Sequence, residues 1–262
     1  MLAHPARAIG AIVTRELRRY LSQRARFLAA LVRPLIWLLV FAAGFRAALG
    51  LSIIAPYQTY ITYETYILPG LCGMILLFSG MQSSLSLVHD RESGAMRLLL
   101  TAPLPRWFLL GAKLLAGAVV GLVQVAAFLL IAALYGIKLT WIGVISALPA
   151  LILCALMLGA LGLLLSARVR QLENFAGVMN FVIFPMFFLS TALYPLWKMQ
   201  ESSDFLAWLC RVNPFTHAVE LIRFALYGQL NLPALGWTVL ALIVFFGLAV
   251  WGYEPARSRV SR

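Results

Sequence analysis

Six stretches of this chain are each about twenty residues long and nearly free of charge, and that recurrence restricts the fold more than any other feature. A hydrocarbon core about 30 Å thick is crossed by about 20 apolar residues in an α-helix. Lipid offers the backbone no hydrogen bonds, so such segments satisfy their own N–H and C=O groups as helices. The runs predict spans over about 28–49, 65–88, 108–135, 141–165, 175–194 and 234–253. Composition agrees: 63% of the 262 residues are hydrophobic and 11% charged, where a soluble domain carries about 25% charged residues. The expected fold is all-α and polytopic, a single membrane domain over 1–262. It divides into an interfacial segment 1–26, a six-helix region 28–253 and a tail 254–262.

The net charge of +12 does not point to nucleic acid, because the arginines cluster at the ends of apolar runs instead of forming a stripe. Arg7, Arg15, Arg18, Arg19, Arg24 and Arg26 precede the first span. Arg91, Arg97, Arg106, Arg168 and Arg170 fall in alternate loops, and Arg257, Arg259 and Arg262 in the tail, fourteen in all. The other side offers Lys138, Lys198, Arg211 and Arg223. Basic residues stay in the cytoplasm, so both termini are expected there. Arg33 and Arg46 are expected near opposite ends of the first span, each reaching its own interface. The mostly polar or basic residues 1–27 and the length of the first span argue for a retained anchor over a cleaved signal.

Ile9, Ile12, Val13, Leu17, Tyr20 and Leu21 recur at helical spacing, with Arg15, Arg18 and Arg19 turned away, as in an amphipathic helix lying along headgroups. Trp107, Trp141, Trp197, Trp237 and Trp251 flank spans as interface anchors. Tyr57, Tyr60, Tyr63 and Tyr66 recur every third residue before the second span, either as anchors or as an outer gate. Residues 205–227 are moderately apolar but broken by Asn213-Pro214, since the residue before a proline leaves the helical region. A pair of short re-entrant helices fits them, with Glu220 and Arg223 in position to pair at i, i+3.

The sequence carries no HExxH, GxSxG or GxxxxGK[ST] motif, and its nine acids lie mostly in loops. No catalytic residue, metal site or cofactor is expected. Cys72, Cys154, Cys210 and His4, His89, His217 are too scattered for a disulfide framework or zinc. Gln82, Ser83, Gln124 and Asn180 are polar residues within spans, fitted either to a translocation path or to bonds between helices. Gly117 and Gly121, like Ala155 and Gly159, set small residues four apart, for packing within one chain or between two copies.

The loop from Asp90 to Arg106 is the most informative stretch. A charged segment, Asp90-Arg91-Glu92-Ser93-Gly94, leads through Arg97 to Leu98-Leu99-Leu100, and Pro103 and Pro105 close it. Three leucines in a cytoplasmic loop call for burial, on this chain or on a partner. Glu92 is expected in the first turn of a short helix. The loop resembles that of type-2 ABC transporter permeases through Glu92, Gly94, Leu99, Leu100 and Pro103, while Ala95 and Arg97 stand where Thr and Glu are common in that family. Phe184-Pro185, the stretch from Ser190 to Pro195, and Asn213 to Glu220 with Arg223 resemble it too.

The resemblance implies a half-transporter of the bacterial inner membrane. A second permease copy, most simply an identical one, would pair with it in the lipid. Separate ABC ATPase subunits would bind beneath, with Asp90, Arg91, Glu92, Gly94, Arg97, Leu99, Leu100 and Pro103 forming the coupling helix. It implies export of drugs, lipids, glycolipids or polysaccharides. Candidate path or gate residues are Gln82, Asn180, Tyr60, Tyr63, Glu220 and Arg223. The competing readings are a membrane-integral assembly factor and a lipid-modifying enzyme; the latter needs acids or histidines converging at an interface.

Overall fold

A computed structural model describes residues 3–22, 24–41, 55–57, 62–92, 105–169 and 171–253, and every regular element among them is helical. In chain order these are α1 (Ala3–Ser22), α2 (Arg24–Ile36, continued by a π-helical turn Trp37–Phe41), α3 (Tyr63–Glu92), α4 (Arg106–Leu134), α5 (Trp141–Arg168) and α6 (Leu172–Phe188). Three short helices follow, α7 (Leu196–Ser202), α8 (Asp204–Val212) and α9 (Pro214–Ala225), and then α10 (Leu232–Gly252). Four helices, α3, α4, α5 and α10, are long and apolar enough to cross a membrane; Phe27–Val40 and Leu172–Phe188 are shorter apolar helices.

The bundle is organised around α3, which packs against α2, α4, α5, α6 and α9. Its Ile67, Leu71, Met74, Leu77 and Met81 are all buried. Small residues set how closely its neighbours approach. A Cβ on Gly80 would lie 2.8 Å from Gly159 Cα, so the backbones of α3 and α5 meet there. Gly117 lies against Ser83, and Gly121 against Leu76 and Ser79. Of the two roles open to the small-residue pairs, the fold uses packing inside one chain. By contrast, α10 turns Leu240, Ile243, Val244 and Leu248 outward, as a helix facing lipid does.

The expected fifth span over 175–194 ends at Phe188. Pro185 removes a backbone donor, and the Ser190 hydroxyl then bonds Phe187 O at 2.6 Å while accepting from Ala192 N at 3.2 Å, which folds 189–194 into turns. At the other end of the bundle, α3 is described as far as Glu92, four residues beyond its expected limit. Of the first expected span, residues 42–49, with Arg46, lie outside the described residues.

The amphipathic pattern of α1 forms as read, with Tyr20 buried and Arg15, Arg18 and Arg19 exposed; Leu21 is the exception, half-exposed. The stripe packs along α4, and Tyr20 and Gln124 share a side-chain hydrogen bond. Gln124 lies about 27 Å along α4 at 1.5 Å per residue, so the end of α1 reaches well inside the bundle. Arg33 is exposed on α2. Its guanidinium stacks 3.9 Å from the centroid of Phe78, near the midpoint of α3.

Candidate functional site

The predicted gate residues that come together do so at the end of the bundle opposite Glu92, Arg106 and Arg168. The segment between α6 and α10 is anchored there by Asn213. Its Oδ1 accepts from Phe215 N at 2.9 Å, capping α9, with Pro214 in the first turn where no donor is needed. Its Nδ2 donates to Met186 O at 2.7 Å and Leu189 O at 2.6 Å, taking two carbonyls left over at the end of α6. One side chain thus starts one helix and ties it to the end of another.

Anchored in this way, α9 is buried on most sides, with Phe215, Ala218, Val219, Leu221 and Ile222 against α3, α5 and α10. Its Arg223 is 2% exposed. The guanidinium pairs with Glu220, donates to Thr191 O at 2.7 Å and lies 4.2 Å from the centroid of Tyr66. A buried cation is tolerated only when paired and hydrogen-bonded, and this one has a carboxylate, a carbonyl and an aromatic face. Tyr66 and Tyr63 donate to Thr191 O and Leu193 O, each at 3.1 Å, fastening the start of α3 to the turns after α6. Tyr57 is buried and packs edge-on against Tyr227, 4.9 Å between centroids. Burial pushes its phenol above the ordinary tyrosine range despite the opposing pull of Arg223. The side chains of Tyr57, Tyr63 and Tyr66 are therefore internal braces, not interface anchors, and Tyr60 lies outside the described residues.

The remaining predicted residues are dispersed. Gln82 lines a cavity nearer the basic end, and Asn180 is exposed on α6 beside Phe181. Asp90, Arg91 and Glu92 form the last turn of α3, with Glu92 exposed. Glu92 thus lies in α3 as far as that helix is described, and the short helix expected to begin there falls on residues outside the described ones. Gly94, Arg97, Leu99, Leu100 and Pro103 lie outside the described residues. Among the described residues no three His, Cys, Asp or Glu side chains gather to hold a metal, and the three buried cysteines are free. Sequence reasoning missed Thr191 and the bracing role of Asn213; the Asn-Pro pair was the available signal for the latter.

Comparison with known proteins decides what this architecture is. The family model for the ABC-2 type transporter matches residues 7–227, which takes in α1 to α9. The chain belongs to the ABC-2 type transporter family. It is similar to a protein of Porphyra purpurea named as transport permease ycf38, at 28% identity over 222 residues, 82% of this chain and 72% of that one. The counterpart in Cyanophora paradoxa is 28% identical over 202 residues, covering 75% of this chain and 66% of the relative. A protein of Escherichia coli K12 named as multidrug ABC transporter permease YbhR is 26% identical over 170 residues, 64% of this chain and 45% of that protein. The chain is thus a multi-pass membrane protein and a transporter permease.

Proposed function

We propose that this permease is one half of an ATP-driven exporter of the bacterial inner membrane, with six spans and both termini in the cytoplasm. The observation that carries the reading is the family match over 7–227, and residues 1–262 themselves carry no phosphate-binding loop of the GxxxxGK[ST] kind. In this reading α2 and α6 complete the six spans. The short helices α7 to α9 re-enter the outer leaflet. Supporting that placement, α8 turns Phe205, Trp208 and Val212 outward at i, i+3 and i+7 while Ala207 and Cys210 are buried.

A second copy would cover the apolar faces of α2 and α6, where Val32, Ile36, Leu39, Phe181, Phe184 and Phe188 are exposed. The Glu220–Arg223 cluster would close the exit, and residues 90–103 would dock on the ATPase. The cargo is a drug, lipid, glycolipid or polysaccharide, as the resemblance implies. Co-expression with ABC ATPases and native mass measurement tests this: the expected complex holds two permeases and two ATPases and hydrolyses ATP only when both are present. A permease that stays without an ATPase in every such preparation contradicts it.

A further inference from the structure

Both α2 and α6 break at the same level of the bundle. Pro34 lies inside α2, and the π-helical turn Trp37–Phe41 begins three residues after it. Pro185 lies inside α6, three residues before the helix stops at Phe188. Each proline lacks a backbone donor, so Ala30 O and Phe181 O lose the usual partner four residues on, and a helix bends most readily there. A π-helical turn likewise interrupts the regular ladder, and such turns recur at functional sites. Just past the two prolines the helices touch. Trp37 packs edge-on against Phe187 with 5.4 Å between ring centroids, and its centroid lies 5.7 Å from that of Phe188.

Beyond the break, the chain is fixed by other elements. Asn213 Nδ2 donates to Met186 O and Leu189 O, Arg223 and Tyr66 donate to Thr191 O, and Tyr63 donates to Leu193 O. Phe187 is buried against Phe215 of α9, 6.1 Å between centroids. Before the break, the same chain holds α6 lightly. That body buries only Phe175 and Ile183, and a Cβ on Gly177 would meet nothing within 4 Å. An interior proline alone does not make such a place. Pro69 of α3 and Pro149 of α5 also lie inside helices, but these bury residues from Tyr63 to Val88 and from Gly143 to Ala167, and close packing on both sides of the proline holds them straight.

We propose that α2 and α6 share one hinge, with Pro34 and Pro185 as its bending points and the Trp37–Phe187 contact as its pivot. The two helix bodies, on the side of Glu92 and Arg168, swing as a pair while residues 186–193 stay fixed on α3 and α9. The permease visits both arrangements by itself, because each helix lacks a backbone bond where it bends. What the swing accomplishes rests on the transporter reading. A second copy seated on α2 and α6 holds their bodies from outside the chain, so a relative movement of the two copies bends each chain at this level. The cytoplasmic half of the interface then opens while the exit end keeps its closure.

Fluorine NMR of the full-length permease in lipid nanodiscs, with 5-fluorotryptophan at its seven tryptophans, tests this. The Trp37 line is identified by its loss in Trp37→Phe. It should appear as two lines, or as one line broadened by exchange in the microsecond-to-millisecond range of helix motions. Pro185→Ala restores a donor to Phe181 O and should lower the minor population about ten-fold, leaving one sharp line. Pro34→Ala should do the same from the α2 side, and Pro149→Ala should leave the Trp37 signal as it is in the unmodified chain. The other six tryptophan lines report whether each variant is folded, and if Pro185→Ala is not, Pro34→Ala decides. A single sharp Trp37 line in the unmodified permease would overturn the proposal. So would two lines that persist in a folded Pro185→Ala or Pro34→Ala variant, or a collapse that Pro149→Ala produces equally. The measurement involves neither ATPase nor cargo, so its failure leaves the exporter reading intact, and failure to find an ATPase leaves the hinge intact.

Discussion

Replacing the two members of the Glu220–Arg223 pair should have unequal effects, with the more exposed residue the costlier to change. The Glu220 side chain is 22% exposed and that of Arg223 only 3%. Glu220→Gln keeps shape and a hydrogen-bond acceptor but leaves a buried guanidinium without its countercharge. Uncompensated buried charges cost about 3–5 kcal/mol, and the low end applies because Thr191 O and the Tyr66 ring remain. Arg223→Met removes the buried charge itself. It sacrifices the bond to Thr191 O, worth about 1.5–3 kcal/mol, and the stacking on Tyr66, but also relieves the desolvation of the guanidinium. The net cost should be about 1 kcal/mol, and Glu220, part exposed, can rehydrate. Reversible unfolding in mixed micelles measures both variants and the double mutant, which should be less destabilised than the sum of the singles. If Arg223→Met proves costlier than Glu220→Gln, or the double mutant is additive, burial of the charge does not govern this cluster and the reasoning fails.

Other substitutions probe the packing. Gly80→Ala forces a methyl against the backbone of Gly159 and should destabilise by about 1–3 kcal/mol, whereas Gly177→Ala, with nothing within 4 Å of its Cβ, should be neutral or stabilising by up to about 1 kcal/mol; the same unfolding assay separates them. Asn213→Ala removes the α9 cap and the bonds to Met186 O and Leu189 O, a loss of about 2–3 kcal/mol. Hydrogen exchange should then quicken across Pro214–Ala225 while the middle of α3 stays protected; uniform protection would mean that Asn213 braces nothing.

Hydropathy alone located α4, α5 and α10, because lipid solvates a helix by its average surface and their sequences are apolar throughout. It misjudged the end of α6, since residues 189–194 are uncharged and still include Leu189, Ala192 and Leu193, whereas the Ser190 turn follows directly where the helix stops. The pairing of Glu220 with Arg223 was legible from their i, i+3 spacing. Its third partner, the face of Tyr66, was not, because that contact joins distant parts of the chain through the packing of α9 on α3. The tyrosines suggested an interface or a gate, yet the hydroxyls of Tyr63 and Tyr66 bond carbonyls after α6, a destination that no local pattern encodes. Likewise, the stripe on α1 announced an apolar partner without naming it as α4. The stacking of Arg33 on Phe78 was not legible either, because it depends on how α2 packs across α3.

The central claim, that a separate ATPase drives this permease through residues 90–103, is tested most directly at Gly94. In the coupling helix proposed for this loop a glycine would cost about 1 kcal/mol relative to alanine, which is reasonable where a side chain would obstruct a docked partner. The measurement is ATPase co-purification and substrate-stimulated ATP hydrolysis for Gly94→Trp beside the unmodified chain, in membranes where both are equally abundant. The account predicts a variant that inserts and pairs normally but loses the ATPase or its stimulation; a variant that assembles and hydrolyses ATP like the unmodified chain would contradict it.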